Sequence, residues 1–491
     1  MSRFLRRRST IGNEDDDPLS KALAPPDHET PAEREARLAA QAEAQKRSDA
    51  IDEEINRQRL ENKKAPKPVR VLLLGQSESG KSTTLKNFQL MNSPKAFRNE
   101  RASWRAVVQL NVVRSVRLIL DTISDAHAQN SPGSVASRPT TATVENMGPL
   151  PVIPPELLKL RMRLLPLQQV EESLLRKMTP AGSAEFEATH LSPVTNLPYR
   201  NRGKFREIAI NSTAQWKGAF GRLIATARAS IESGQDIDFD DPNDPGVILH
   251  ACSEDIIQLW SDPTVKKLLK AQRLRLEDMA GFFLDSIERV TALRYIPTDD
   301  DILKARLKTL GVSEHRFDLK AAGNMLSHDW RVYDVGGARS LRAAWAPYFD
   351  DLDAIIFLAP ISGFDEVLLE DRTVNKLEDS ILLWKHVVSN PLLKDTQIVL
   401  FLNKIDLFKA KLETIRFADY VVSYGQRPNE YEPASNYLRK KFALLYKQHS
   451  KTQRIFYCHL TSMTDSSSTR HILVNVKDMV IRQNLAISNL V

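Results

Sequence analysis

The run Gly75-Gln-Ser-Glu-Ser-Gly80-Lys81-Ser82 sets two glycines, a lysine and a hydroxyl at the spacing that cradles phosphate. Glycines let backbone amides curl around phosphate oxygens, and the following helix presents its positive end to them. Lys81 meets the β and γ oxygens, and Ser82 ligates magnesium. An ordinary glycine-rich turn would need neither Lys81 nor Ser82. The apolar run Val69 to Leu74 before the loop reads as a buried strand, and Gly80 to Met91 as a helix. The loop therefore stands in the strand-loop-helix setting that phosphate binding requires.

A second constellation, Asp334-Val-Gly336-Gly337, follows the apolar run Arg331 to Tyr333. A carboxylate at a strand's carboxyl edge can hold magnesium through water, and the Gly337 amide can reach a terminal phosphate. The third, Asn403-Lys404-Ile405-Asp406, follows Gln397 to Leu402. A carboxylate there accepts from both N1 and the 2-amino group of guanine, which adenine cannot reproduce, so Asp406 selects the base. Lys404 lays its aliphatic stem against the ring. This order after the phosphate loop argues for GTP over ATP and disfavours a P-loop ATPase or kinase.

These loops need strands to carry them. Six apolar runs separated by helices qualify: Val69 to Leu74, Arg316 to Leu319, Arg331 to Tyr333, Ala354 to Leu358, Gln397 to Leu402 and Ile455 to Leu460. That alternation predicts an α/β fold, a doubly wound and mostly parallel six-stranded sheet. Between its first helix and the later strands lies an all-α block. Arg101 to Ala126 places Trp104, Val108, Val112, Val116, Leu120 and Ile123 on one helical face. Leu157 to Met178 is helical but broken at Pro166, Phe205 to Ile231 is helical in pattern, and helical periodicity returns from Val247 to Thr291. Gln129 to Pro155 has linker composition, and the acidic stretch Asp236 to Asp244 reads as solvated loop. It is no calcium loop, since Asp241 fills the sixth position, where glycine is needed. The divisions drawn are a tail and polar N-terminal helix over 1–64, a first part of the sheet domain over 65–96, the helical domain over 97–292 with a low-complexity insertion near 126–246, and the second part of the sheet domain over 293–491.

Composition limits the alternatives. A chain of 491 residues, 42% hydrophobic and 27% charged, is neither collagen-like nor wholly disordered. Its net charge of +7, from 69 basic and 62 acidic residues, describes a mixed surface and gives no argument for nucleic acid. Only Cys252 and Cys458 are present, both read as buried structural thiols in a reducing cytoplasm. No stretch reaches the roughly 18 apolar residues of a membrane span. Ser2 stands where N-myristoylation needs Gly, and no cysteine near this end could take palmitate. Attachment to the inner face of the plasma membrane would be peripheral, through partners or through Arg3, Arg6, Arg7 and Arg8.

Over residues of about 45–125 and 247–491 the chain resembles the α subunits of heterotrimeric G proteins. The resemblance rests on VLLLGQSESGKST, DMAGFFLDSIERV, YIPTDDDILKARLKT, DVGGARSLRAAW, FLNKIDLF and the loop Thr461-Ser-Met-Thr-Asp465. It implies a Ras-like GTPase domain interrupted by a helical domain that covers the nucleotide. It further implies GTP or GDP contacts at Gly75, Glu78, Ser79, Gly80, Lys81, Ser82 and Thr83, at Asp278, Leu303, Arg306 and Thr309, and at Gly337, Asn403, Lys404, Asp406 and Met463. Ser82, Thr309 and Asp334 would serve magnesium. Arg306 would be the built-in arginine finger, acting with Lys81 in catalysis, and Asp278 would approach Lys404 across the domain cleft. Thr298 to Asp301 also reads locally as a helix-capping box. Implied partners are a βγ dimer at the N-terminal helix and switch II, a G-protein coupled receptor at the final helix, about His471 to Leu485, and a downstream effector.

Departures from the family pattern are equally informative. The position of the glutamine that orients attacking water holds Ala338, and Ser77 fills a P-loop position usually held by Gly. Both predict slow or absent hydrolysis with GTP binding retained, leaving a slow GTPase or a non-hydrolysing GTP-binding scaffold as the readings. On switch II, Leu341, Ala343 and Ala344 replace a Glu and two Lys, which weakens electrostatic docking of βγ, while Trp345 remains. Met463 stands where Ala is usual beside guanine.

Overall fold

The computed structural model of the chain describes residues 30–64, 68–130, 151–178, 209–211, 239, 241, 244–272, 274–310, 312–320, 327–368, 371, 373–452 and 454–487. The chain divides into two compact units, one ending at Lys67 and one beginning at Pro68. In the first, Pro31–Lys64 forms a single helix of 34 residues. Ala, Glu, Gln, Lys and Arg fill it, all strong helix formers. Pairs one turn apart, such as Arg47 with Glu43 at 2.7 Å and Gln45 with Asp49 at 2.8 Å, lace its surface.

The strands described in the second unit are β1 (Val69–Leu74), β2 (Ala209–Asn211), β3 (Lys308–Leu310), β4 (Val312–Lys320), β5 (Ser327–Val335), β6 (Ala354–Pro360), β7 (Gln397–Asn403) and β8 (Tyr457–Thr461). Six of them form one sheet in the order β4-β5-β1-β6-β7-β8, parallel except for β4 against β5. Parallel strands covered on both faces should be apolar throughout, and β6 and β7 are buried at every position. One apolar cluster, with Phe357, Trp384 and Phe442, covers one face of the sheet; another, with Phe88, Trp330 and Leu473, covers the other. The nucleotide loops all leave the carboxyl ends of β1, β5, β7 and β8, where ligands of such sheets collect.

A third cluster belongs to the helices. Arg101–Asn130 is its spine, with Val108, Val112, Val116 and Ile123 buried; Leu167–Met178 and Pro263–Ala271 pack on it, and Pro155–Arg163 and Ser253–Ser261, packed on each other, complete the cluster. The same core takes in Leu90 on one side and Tyr295, Ile302 and Ala305 on the other.

Several local expectations need correction. Ala209–Asn211 is extended, pairing in parallel with Lys308–Leu310, where helical periodicity was expected; a strand edge supplied by residues almost 100 positions away is invisible to local pattern. The rest of Phe205 to Ile231 and most of the linker from Gln129 to Pro155 lie outside the described residues, although the spine helix runs on to Asn130. β4 and β5 outrun their apolar runs because their ladder continues from Val312 opposite Val335 to Lys320 opposite Ser327. The final helix starts at Ser466, since the Asp465 carboxylate accepts from the amides of Ser467 and Ser468 at 3.1 and 3.3 Å. Asp244 is not solvated: it is buried against Arg105 at 2.8 Å and caps Pro245–Ala251. Cys252 is buried, whereas Cys458 is only partly so.

Candidate nucleotide-binding site

The turn after β1 bends through left-handed backbone at Glu78 (φ 60°) and Gly80 (φ 102°). A Cβ on Gly80 would stand 2.3 Å from Asn403 Nδ2, so only glycine lets that amide pass beneath the loop. Buried Lys81 donates to the carbonyls of Gly75 and Gln76 at 2.9 and 2.8 Å, which holds its ammonium inside the loop. The Ser79 hydroxyl is buried with no hydrogen-bond partner in the protein, as expected of a group that meets a ligand oxygen. Ser82 Oγ donates to Asp334 Oδ2 at 2.7 Å. This hydroxyl and single carboxylate, side by side, suit magnesium, which takes its other ligands from phosphate and water. At Gly337 a Cβ would lie 2.5 Å from the Gln76 carbonyl carbon and 2.5 Å from Lys81 Nζ, so glycine is what allows switch II to close on the phosphate loop.

On the base side Asn403 acts as a brace. Its Nδ2 donates to the Ser79 carbonyl at 2.8 Å, while its Oδ1 accepts from Thr461 Oγ1 at 3.1 Å and the Met463 amide at 3.3 Å. Three loops are thereby tied by one amide. Met463 is buried, and its carbonyl accepts from Asn87 Nδ2 at 2.9 Å. Lys404 takes left-handed backbone (φ 63°) as the N-cap of Ile405–Leu412, which sets Asp406 exposed in the first turn, facing the cleft.

The helical layer supplies the roof. The backbone of Arg306 is held by Asn111, whose Oδ1 accepts from its amide at 2.8 Å and whose Nδ2 donates to its carbonyl at 3.0 Å. The Arg306 guanidinium pairs with Glu78, and Lys376 stands 3.4 Å from the same carboxylate. Burial opposes the Glu78 charge, but Arg306, Lys376 and Lys404 outweigh it and hold its carboxyl at about 2. Thr83 Oγ1 donates to the Leu303 carbonyl at 3.5 Å. Asp278 goes elsewhere than expected: its carboxylate lies 3.4 Å from Lys411 and 3.8 Å from Arg275, because Lys411 offers a buried cation about two turns along the helix that Lys404 caps. Thr309 is placed only by its backbone in β3; its side chain lies outside the described residues.

Lys86, which motif reading passed over, donates to the carbonyls of Ile302 and Ala305 at 2.8 and 2.7 Å and so anchors the segment leading to Arg306. Burial pulls its ammonium down to about 7, with Asp334 acting in the opposite direction. A lysine between Leu85 and Phe88 on an otherwise packed helix was the available signal. Together these groups enclose a cleft of about 420 Å³, with Ser77, Lys81, Ala338, Lys404 and Asp406 on the sheet side and Asp278, Leu303 and Arg306 opposite.

The helix Asp299–Lys304 has the capping box expected of it. Buried Asp301 also accepts from Arg289 at 2.6 and 2.8 Å and from the Tyr295 hydroxyl at 2.9 Å. Burial works against its charge, but Arg289, the Thr298 amide and Tyr295 prevail and hold it at about 2. Its folded value lies below its unfolded one, so its stabilisation is present above the ordinary carboxylate range and is lost as pH falls through about 2. Asp301→Asn is expected to cost about 2 kcal/mol, read from urea midpoints at neutral pH. An unchanged midpoint would show that the cluster contributes nothing net.

A glycine-rich loop after the first strand, a hydroxyl–carboxylate pair fit for magnesium and the Asn403–Asp406 loop after β7, roofed by a helical layer, are the arrangement of the Ras-like GTPase fold with a helical domain. The chain belongs to the G-protein α-subunit family, whose model, described as G-protein alpha subunit, matches residues 45–480. It is similar to the guanine nucleotide-binding protein alpha-4 subunit of Mycosarcoma maydis, with 31% identity covering 97% of this chain and 96% of the relative. Similarity extends to the alpha-1 subunit of the same organism, at 29% identity over 90% of this chain and 96% of the relative. The guanine nucleotide-binding protein subunit alpha of Candida albicans (strain WO-1) is 28% identical over 89% of this chain and 93% of that protein. Among the described residues no helix is long and apolar enough to cross a membrane.

Proposed function

We propose that this chain is a GTP-binding signal transducer that binds GTP with magnesium and hydrolyses it slowly. The supporting observation is that Ala338 and Ser77 line the same cleft as Lys81 and Arg306. Lys81 and Arg306 can bind and stabilise charge on the transferring phosphoryl, and Asp406 can read guanine. A methyl group at 338 cannot orient water, and the Ser77 side chain adds bulk where the γ-phosphate must sit. Magnesium, held by Ser82 and through water by Asp334, would neutralise charge on the β- and γ-phosphates. Single-turnover hydrolysis together with the nucleotide that copurifies tests this reading. Slow turnover with GTP retained is expected, and a rate typical of the family with GDP retained would overturn it.

Partners follow from the family: a βγ dimer, a receptor at the Ser466–Ile487 helix and an effector, with membrane attachment peripheral. For βγ the switch II surface argues for weak docking. Leu341, Ala343 and Ala344 carry no charge, Arg342 is committed to Asp379 at 3.0 and 2.5 Å, and Trp345 is buried with its Nε1 donating to the Gly336 carbonyl at 3.0 Å. The GDP form is expected to retain a βγ dimer in pull-down and a GTP analogue to release it. Equal retention in both states would favour the second reading, a GTP-binding scaffold that no longer cycles.

A further inference from the structure

We propose that Glu366 is a positioning residue that joins the Arg306–Glu78 pair to the ionic contact closing the helical layer on the sheet layer, and thereby slows nucleotide dissociation. The inference rests on the guanine-nucleotide reading above. Glu366 divides its carboxylate between two lysines, Oε2 accepting from Lys376 at 2.6 Å and Oε1 from Lys411 at 2.5 Å. On one side Lys376 reaches Glu78, which pairs with Arg306. On the other, Lys411 also donates to Asp365 Oδ1 at 2.8 Å, and Asp365 Oδ2 accepts from Arg275 at 2.9 Å.

Signs therefore alternate without a break from Arg306 through Glu78, Lys376, Glu366, Lys411 and Asp365 to Arg275. Both ends are cations of segments packed with the helical core, whereas the members between them belong to the sheet layer. Lys411 and Asp365 are buried, with side chains only 4% and 7% exposed, so salt screens that pair little; Glu366 is about a third exposed and Arg275 nearly half, so screening acts at those two members. The carboxylate is also fixed at its root, since the Lys376 amide donates to the Glu366 carbonyl at 2.8 Å. Without the Glu366 charge, Lys376 would compete with Arg306 for Glu78, and Lys411 would compete with Arg275 for Asp365. The contacts that Arg306 and Arg275 make across the cleft would loosen together, while Asp278, 3.4 Å from Lys411, would remain as a third.

The test is displacement of a fluorescent GDP analogue from the full-length chain by excess GDP. Glu366→Gln is expected to speed release about fivefold, Arg275→Ala comparably, and the double variant no more than the faster single. Glu366→Asp should return release to within about twofold of the unaltered chain, which loss of packing alone would not produce. Glu366→Leu, which keeps apolar volume, replaces the Gln variant if that one does not fold. Release unchanged in the Gln or Leu variant, or single effects that multiply independently, would overturn the coupling. An unaltered chain that holds no GDP analogue would instead overturn the nucleotide reading, and the proposal with it.

Discussion

Ala338→Gln combined with Ser77→Gly is expected to accelerate single-turnover GTP hydrolysis by about 10²-fold, at the lower end of what positioned proton-handling groups contribute. Position 338 is the N-cap of the switch II turn Arg339–Tyr348, directly after Gly337, whose Cα faces Lys81. A glutamine there starts from backbone already fixed against the phosphate loop, and its amide can both accept from and donate to the attacking water. Ser77 lines the same cleft, so its side chain would occupy volume that the glutamine and water require. Each single variant should therefore recover much less than the pair, a non-additivity typical of groups sharing one cavity. Equal rates in the double variant and the unaltered chain, at undiminished GTP affinity, would assign the block to something other than these two residues.

Asp406→Asn should weaken guanine nucleotide binding by about 10²-fold or more, because a site built around two base donors loses one acceptor and gains a misplaced donor. Xanthine nucleotides should gain correspondingly, since the Asn carbonyl accepts from N1–H and its NH2 donates to the 2-oxo group. Competition between GDP and XDP for the same chain reads both changes at once. Asp406 is exposed in the first turn of its helix, while Asn403 makes the bonds that hold the loops, so the fold should survive. Unaltered preference for guanine would mean that the base is read elsewhere, with the Met463 loop the nearest candidate.

Much of this was legible along the chain because it is local. A glycine-rich turn between a strand and a helix, or a carboxylate ending an apolar run, carries its signal within a few residues, and glycine is what the left-handed backbone at Gly80 and the close approach at Gly337 require. Capping at Thr298 was legible for the same reason. What escaped were charges whose meaning depends on distant partners. Lys86, Lys376 and Lys411 look like solvated lysines on helices, yet each is drawn in by acceptors from other segments. Asp278 was expected at Lys404 and stands by Lys411, a choice between cations that only packing resolves.

By itself, then, the sequence determined the strand-and-helix alternation, the phosphate-loop motif after the first strand and the residue types at 338 and 406 on which the proposed function rests. Each follows from residue type and short-range spacing. Only the tertiary structure decided the strand order, the pairing of β2 with β3, and the alternating charges that run from Arg306 to Arg275. These depend on which buried groups meet across long loops. Burying an unpaired charge is costly enough that packing selects the partner, and sequence separation carries no record of that selection.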